Sequence, residues 1–148
     1  MKLPARVKVV DVGPRDGLQN ESAALSVEDR VEFCRALIDA GLPVAISTDY
    51  NPGSCPQQSL AQVMTWAALR YRMSAAECLT AATLNPACSL GRGAEIGSLE
   101  PGKRADLVIF SCSNLRQLVS EFGASPVRAV IVRGSVVRGA DRMRAPLH

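Results

Sequence analysis

Residues 46–56 read ISTDYNPGSCP. A β-branched run ends on Asp49, and the Asn, Pro, Gly and Ser that follow force a sharp turn. An aspartate at such a corner can hold a divalent ion or activate a water. It can equally cap backbone amides of the turn behind it. A metal role normally recruits histidines, and the chain has one, His148, its last residue. Cys55 lies in the same loop, but no histidine is near enough in sequence to lower its pKa, so a nucleophilic role is disfavoured. A second polar string, GPRDGLQNE at 13–21, also follows a β-branched run. Its Asp16-Gly17 step is a turn pair and its Arg15 reads alone as a surface charge.

Composition narrows the setting for these residues. The chain has 148 residues, room for one domain with a core. Apolar residues are 47% and charged residues 21%, a balance that favours a folded chain over a disordered one. The net charge of +3 is mild, and the arginines form no dense stripe interleaved with aromatics. A nucleic-acid partner is therefore not expected. No apolar run is long enough to span a bilayer, and MKLPARVKVVDVGPRD has no signal-peptide core. The expectation is a soluble, cytoplasmic chain without a membrane partner. The five cysteines, Cys34, Cys55, Cys78, Cys88 and Cys112, are odd in number and lack C-x-x-C spacing. That argues against a disulfide framework or zinc knuckle and for small buried hydrophobes.

The elements that must position the two polar strings can be read from periodicity. VKVVDV, 7–12, predicts a strand. Ser26 with Asp29 predicts a capping box, and Val27, Val31, Cys34, Leu37 and Ile38 recur at helical spacing until Gly41. VAIST, 44–48, predicts a second, buried strand, so 7–48 reads as a βαβ unit with a parallel pair. After the turn at 51–56, Leu60, Val63, Met64, Ala67, Ala68 and Tyr71 predict a helix of about 14 residues. Met64, Trp66 and Tyr71 read as packing residues of that helix. Ser74 with Glu77 predicts another capping box. Asn85 would cap a short helix with Pro86 at its first position and Gly91 past its end. EPGK, 100–103, predicts a type II turn, and ADLVIF, 105–110, a strand. Leu115, Leu118, Val119 and Phe122 suggest a short helix. VRAVIV and SVV around Arg133-Gly134 predict a hairpin. Residues 139–148 read as a tail.

Two resemblances follow from these strings. VKVVDVGPRDGLQNE through DAGL resembles the N-terminus of hydroxymethylglutaryl-CoA lyase, a TIM-barrel metallolyase. The resemblance implies that Arg15 polarises a thioester and Asp16 ligates magnesium or manganese, with Gln19 and Glu21 in the same loop. From Pro43 to near Arg138, PVAISTDYNPGSCPQQSL through IGSLEPGKRADLVIF is similar to the C-terminal part of imidazolonepropionase, an amidohydrolase of histidine degradation. It implies that Asp49 holds zinc or iron and orients its water. It also implies that Asn51 and Gly53 hold the formimidoyl-glutamate product and Ser54 the substrate. Both families need histidines that this sequence does not carry beyond His148.

The expected fold is α/β: a partial TIM barrel of about two βα units followed by a small β-rich segment. The expected units are 1–42, lyase-like; 43–95, the last barrel strand and helices of an amidohydrolase; 96–138, the β-rich segment; and 139–148, the tail. The leading expectation is a hydrolase of 4-imidazolone-5-propanoate, a small-molecule substrate, truncated and inactive alone. The alternatives are a lyase-type retro-aldol cleavage and a fusion without activity. An unclosed barrel leaves strand edges and helix faces uncovered, so self-association is expected.

Overall fold

The computed structural model describes residues 14, 17, 18, 22, 25–123 and 126–139. Helix α1, Val27–Asp39, starts on the predicted capping box: the Ser26 side chain accepts from the Asp29 amide, and Asp29 accepts from the Ser26 amide. Gly41, at φ 74°, ends it. Helix α2, Leu60–Tyr71, is 12 residues long and capped by Ser59. Helix α3, Ala75–Ala82, opens on the Ser74/Glu77 box. Helix α4 is Leu84–Ser89, and Gly91 follows it at φ 73°.

Beyond α4 the chain becomes a small sheet. Strand β1 is Leu107–Phe110, helix α5 is Leu115–Ser120, and strands β2, Val127–Val132, and β3, Ser135–Arg138, complete the order. The three strands pair antiparallel as β1-β2-β3. Arg133 and Gly134, at φ 50° and 79°, make the hairpin turn. Both angles are positive, the backbone twist that two-residue hairpins favour. In the EPGK turn, the Lys103 amide donates to the Glu100 carbonyl at 3.2 Å and Gly102 has φ 87°. Asp106 locks the two turns together, accepting from Arg104 and from the Arg133 amide at 2.9 Å.

The core is small and made mostly of small side chains. Met64, Ala67, Met73, Cys78, Ala81 and Leu118 form it, drawn from α2, α3, α5 and the α2–α3 link. Half-buried Ile38, Ile46, Tyr71 and Phe110 pack around them. Gln62, buried in α2, accepts from the Gly123 amide at 2.7 Å and so ties the helical layer to the segment before β2. Gly97 is tight against α4: an added Cβ would stand 2.7 Å from Ala87 Cβ, at a backbone φ of 96°.

Three expectations need correction. Residues 44–48 pair as a strand with no described segment; the only sheet among the described residues is the antiparallel one. A strand is a ladder, and no described segment pairs with 44–48. Its burial still alternates: Val44, Ile46 and Thr48 are half-buried while Ala45 and Ser47 are exposed. One side therefore packs on the helices, as β-branched alternation dictates, without a sheet partner among the described residues. Asn85 does not cap α4; it lies inside that helix, and its Nδ2 donates to the Val44 carbonyl at 2.8 Å. Pro86 accordingly sits in the third helical position, where an amide would also be unpaired. Of the cysteines only Cys78 is buried, Cys88 is exposed and the others are half-buried, all of them free thiols. The segments 7–12 and 140–148 lie outside the described residues, and with 7–12 the first strand of the predicted parallel pair.

Candidate functional site

The chain approaches the corner along 44–48, held from one side. The Ile46 amide donates to the Ala81 carbonyl at 3.0 Å, satisfying an acceptor in the last turn of α3 that has no helical partner. Asn85 holds the Val44 carbonyl, and the Cys55 thiol donates to the Thr48 carbonyl at 3.1 Å. These contacts fix where the segment ends, and it ends on Asp49.

Asp49 is exposed and has φ 46°. That is the left-handed region, costly for most side chains and tolerated by aspartate. The reversal turns the chain back on itself. The Asn51 amide then donates to the Cys55 carbonyl at 2.9 Å, closing a tight loop. Inside it the Asn51 side chain is the hub. Its Nδ2 donates to the Asp49 carbonyl at 2.8 Å. Its Oδ1 accepts from the Gly53 amide at 3.0 Å, the Ser54 amide at 2.7 Å and the Ser54 hydroxyl at 3.1 Å. An asparagine carbonyl has two lone-pair sites, so three donors fill it. Asn51 therefore shapes the loop with both ends of its amide. Cys55 is likewise spent on a backbone carbonyl, in keeping with a structural thiol.

Asp49, Asn51, Gly53 and Ser54 are thus brought together on one exposed loop. Arg15 and Asp16 lie outside the described residues, as do Gln19, Glu21 and His148. Among the described residues no three His, Cys, Asp or Glu side chains gather to hold a metal ion. One carboxylate on a surface loop does not fit the ligand set a zinc, iron, magnesium or manganese ion requires. Periodicity gave no sign of the Asn85–Val44 and Gln62–Gly123 bonds, because their partners are 41 and 61 residues apart.

Away from the loop, Cys34 of α1 and Tyr71 of α2 lie close enough to shift each other's acidity. Burial pushes the Cys34 thiol up, partly offset by Tyr71, and burial followed by Cys34 pushes the Tyr71 hydroxyl up. Both groups are therefore neutral at physiological pH, a packing pair between two helices. No helix of the described residues is long and apolar enough to cross a membrane.

The Amidohydrolase family model matches residues 4–137. An imidazolonepropionase from Geobacillus thermodenitrificans is 52% identical over 103 residues, 70% of this chain and 24% of its own length. One from Solibacter usitatus is 45% identical over 108 residues, 73% of this chain and 26% of its own. In three dimensions, the chain is similar to an adenosine deaminase from Xanthomonas campestris with bound zinc, at a TM-score of 0.63 and 32% identity. That likeness covers 70% of this chain and 27% of the deaminase. The chain spans about a quarter of the length of the curated relatives it matches.

Proposed function

Because the chain belongs to the amidohydrolase family, we propose that it carries the Asp49 corner of an imidazolonepropionase-type hydrolase. The reaction is the addition of water across a cyclic amide C–N bond. It opens 4-imidazolone-5-propanoate, a small-molecule substrate, to N-formimidoyl-L-glutamate in histidine degradation. In this reading Asp49 is a metal ligand and takes the proton of the attacking water. Asn51 and Gly53 hold the product and Ser54 the substrate. The Asn51 hub gives these roles a physical basis, because it fixes the Gly53 amide and the Ser54 hydroxyl relative to Asp49.

The observation that carries the reading is the 52% identity to an imidazolonepropionase over 103 residues. Any contiguous stretch of that length in a chain of 148 residues includes Asp49. Residues 43–95 are then the last barrel strand and helices of the parent enzyme, 96–138 its small β-rich segment and 139–148 a tail. A bound divalent ion would supply Lewis-acid activation of water, and the described residues do not complete its ligand set. The proposal is accordingly a chain without turnover of its own.

The GPRDGLQNE string supports a second reading for 1–42, a lyase-like segment joined to the hydrolase part, with Arg15 and Asp16 as its inherited site. The family model reaches back to residue 4, over the same string, and this favours the hydrolase reading for the whole chain. An inert fusion is the third reading, and one experiment separates a working hydrolase or lyase from a chain without turnover. The purified chain is given imidazolone propionate with zinc or iron, and hydroxymethylglutaryl-CoA with magnesium or manganese. The expected rates equal those of a no-protein control. Ring opening that Asp49→Ala abolishes would overturn the proposed inactivity while upholding the site. Retro-aldol cleavage of the substrate's carbon–carbon bond that Asp16→Ala abolishes would favour the lyase.

A further inference from the structure

Residues 44–48 run without a turn or bend. In an extended chain successive residues aim their amide and carbonyl at opposite edges. The contacts that hold this segment all fall on one of them. The Val44 carbonyl accepts from Asn85, the Ile46 amide donates to the Ala81 carbonyl, and the Thr48 carbonyl accepts from the Cys55 thiol. Ala45 and Ser47 face the other edge. Among the described residues nothing bonds to the amide or the carbonyl of either, and both residues are exposed.

An edge of unpaired amides and carbonyls is a template for another strand, and proteins usually blunt it with lysine, proline or a bulge. Between Pro43 and Asp49 this edge carries only Ala45 and Ser47, whose small side chains leave room for close approach.

We propose that the free edge of 44–48 pairs with the same edge of a second copy of this chain, antiparallel about a two-fold axis at Ile46. Ala45 then faces Ser47 of the second copy, and the reverse. Each facing pair exchanges both of its hydrogen bonds, so every open amide and carbonyl of the edge is satisfied. Neighbouring registers do worse. An axis at Ala45 sets Ser47 against Pro43, which has no amide to give. An axis at Ser47 sets Ala45 against Asp49, which leaves the extended path at φ 46° and whose carbonyl already accepts from Asn51. The ends of the segment also match. Leu42 is 54% exposed and Tyr50 55%, and antiparallel pairing brings Leu42 of one copy toward Tyr50 of the other. A closed barrel has no free strand edge, so this pairing is open only while 44–48 lacks barrel neighbours. It is independent of the hydrolase reading.

Amide hydrogen exchange on the full chain tests it residue by residue, at about 50 µM and about 1 mM, a span over which a small, weak interface fills by mass action. The Ala45 and Ser47 amides should exchange about twofold or more slowly at the higher concentration, while those of Val44 and Thr48, on the other edge, should not change. Ser47→Pro removes a donor from each facing pair and should abolish the association in sedimentation velocity. Ser47→Ala keeps the backbone donor and should associate like the parent. A chain monomeric at both concentrations overturns the proposal. Exchange at Ala45 and Ser47 that is indifferent to concentration does so too, as does association that survives Ser47→Pro, which would lie on another surface. If Ser47→Pro loses its helical circular dichroism, the exchange series on the unaltered chain decides.

Discussion

Asp49 combines an exposed carboxylate with a left-handed backbone angle of 46°. The angle is needed because the chain must reverse between Thr48, held by Cys55, and Asn51, paired with Cys55. A β-branched residue there would bring its side chain against the backbone. Asp49→Val should therefore be less stable than Asp49→Gly, which is free of that clash, by about 1–2 kcal/mol. Urea unfolding midpoints for the two variants measure the difference. Equal midpoints would mean that the corner relaxes without resistance. The same comparison separates the backbone role of Asp49 from its carboxylate, which both substitutions remove.

Helices α1 and α3 each start on a serine whose hydroxyl accepts from an amide while an acidic side chain reaches back. The Ser26 and Ser74 contacts hold Asp29 and Glu77 below the usual carboxylate range. A carboxylate whose pKa is lower in the folded chain binds fewer protons there than when unfolded. It stabilises the fold above the unfolded value, near 4, and that contribution disappears as pH falls through the folded one. Glu100, held down by Ser98 and Lys103, and Asp106, held down by Arg133 and Arg104, act in the same direction. Stability should thus be level near neutrality and decline below about pH 4–5. Glu77→Gln keeps a capping acceptor and does not titrate, so its acid decline should be shallower than the parent's by thermal melts at stepped pH. An unchanged slope would show that the α3 box carries no linkage.

At the scale of the molecule, the described core leans on few large side chains. Met64 is 3% exposed and stands among Ala67, Met73, Cys78, Ala81 and Leu118. Three of these neighbours are alanine or cysteine and cannot expand into a void. Met64→Ala should therefore cost about 2–4 kcal/mol, a large share of the stability of a domain this size. Loss of a cooperative thermal transition, or a fall of that size in chemical unfolding, checks it. A cost under about 1 kcal/mol would mean that the helices collapse onto the cavity. Large apolar side chains are also left outside, among them Leu90 at 73%, Leu99 at 77% and Phe122 at 64% exposure. A small core and uncovered apolar surface are the expected condition of a chain that spans about a quarter of its relatives' length.

The sequence by itself determined the elements whose signals are local. The capping boxes at Ser26 and Ser74, the stop at Gly41, the EPGK turn and the Arg133-Gly134 hairpin each depend on residues within a few positions of one another, and each formed where read. It also determined that Asp49 and its loop stand together, because Asn51, Ser54 and Cys55 bond to one another, to the Asp49 carbonyl and to Thr48. Tertiary structure decided what depends on distant partners. VAIST has the composition of a buried strand, but a strand exists only beside another, and the described chain gives this one helix ends to lean on instead. Asn85 has the look of a cap, yet the Val44 carbonyl, 41 residues away, claims its side chain. Local pattern fixes which conformation a segment prefers; only the packed chain supplies the partner that its backbone and polar groups must find.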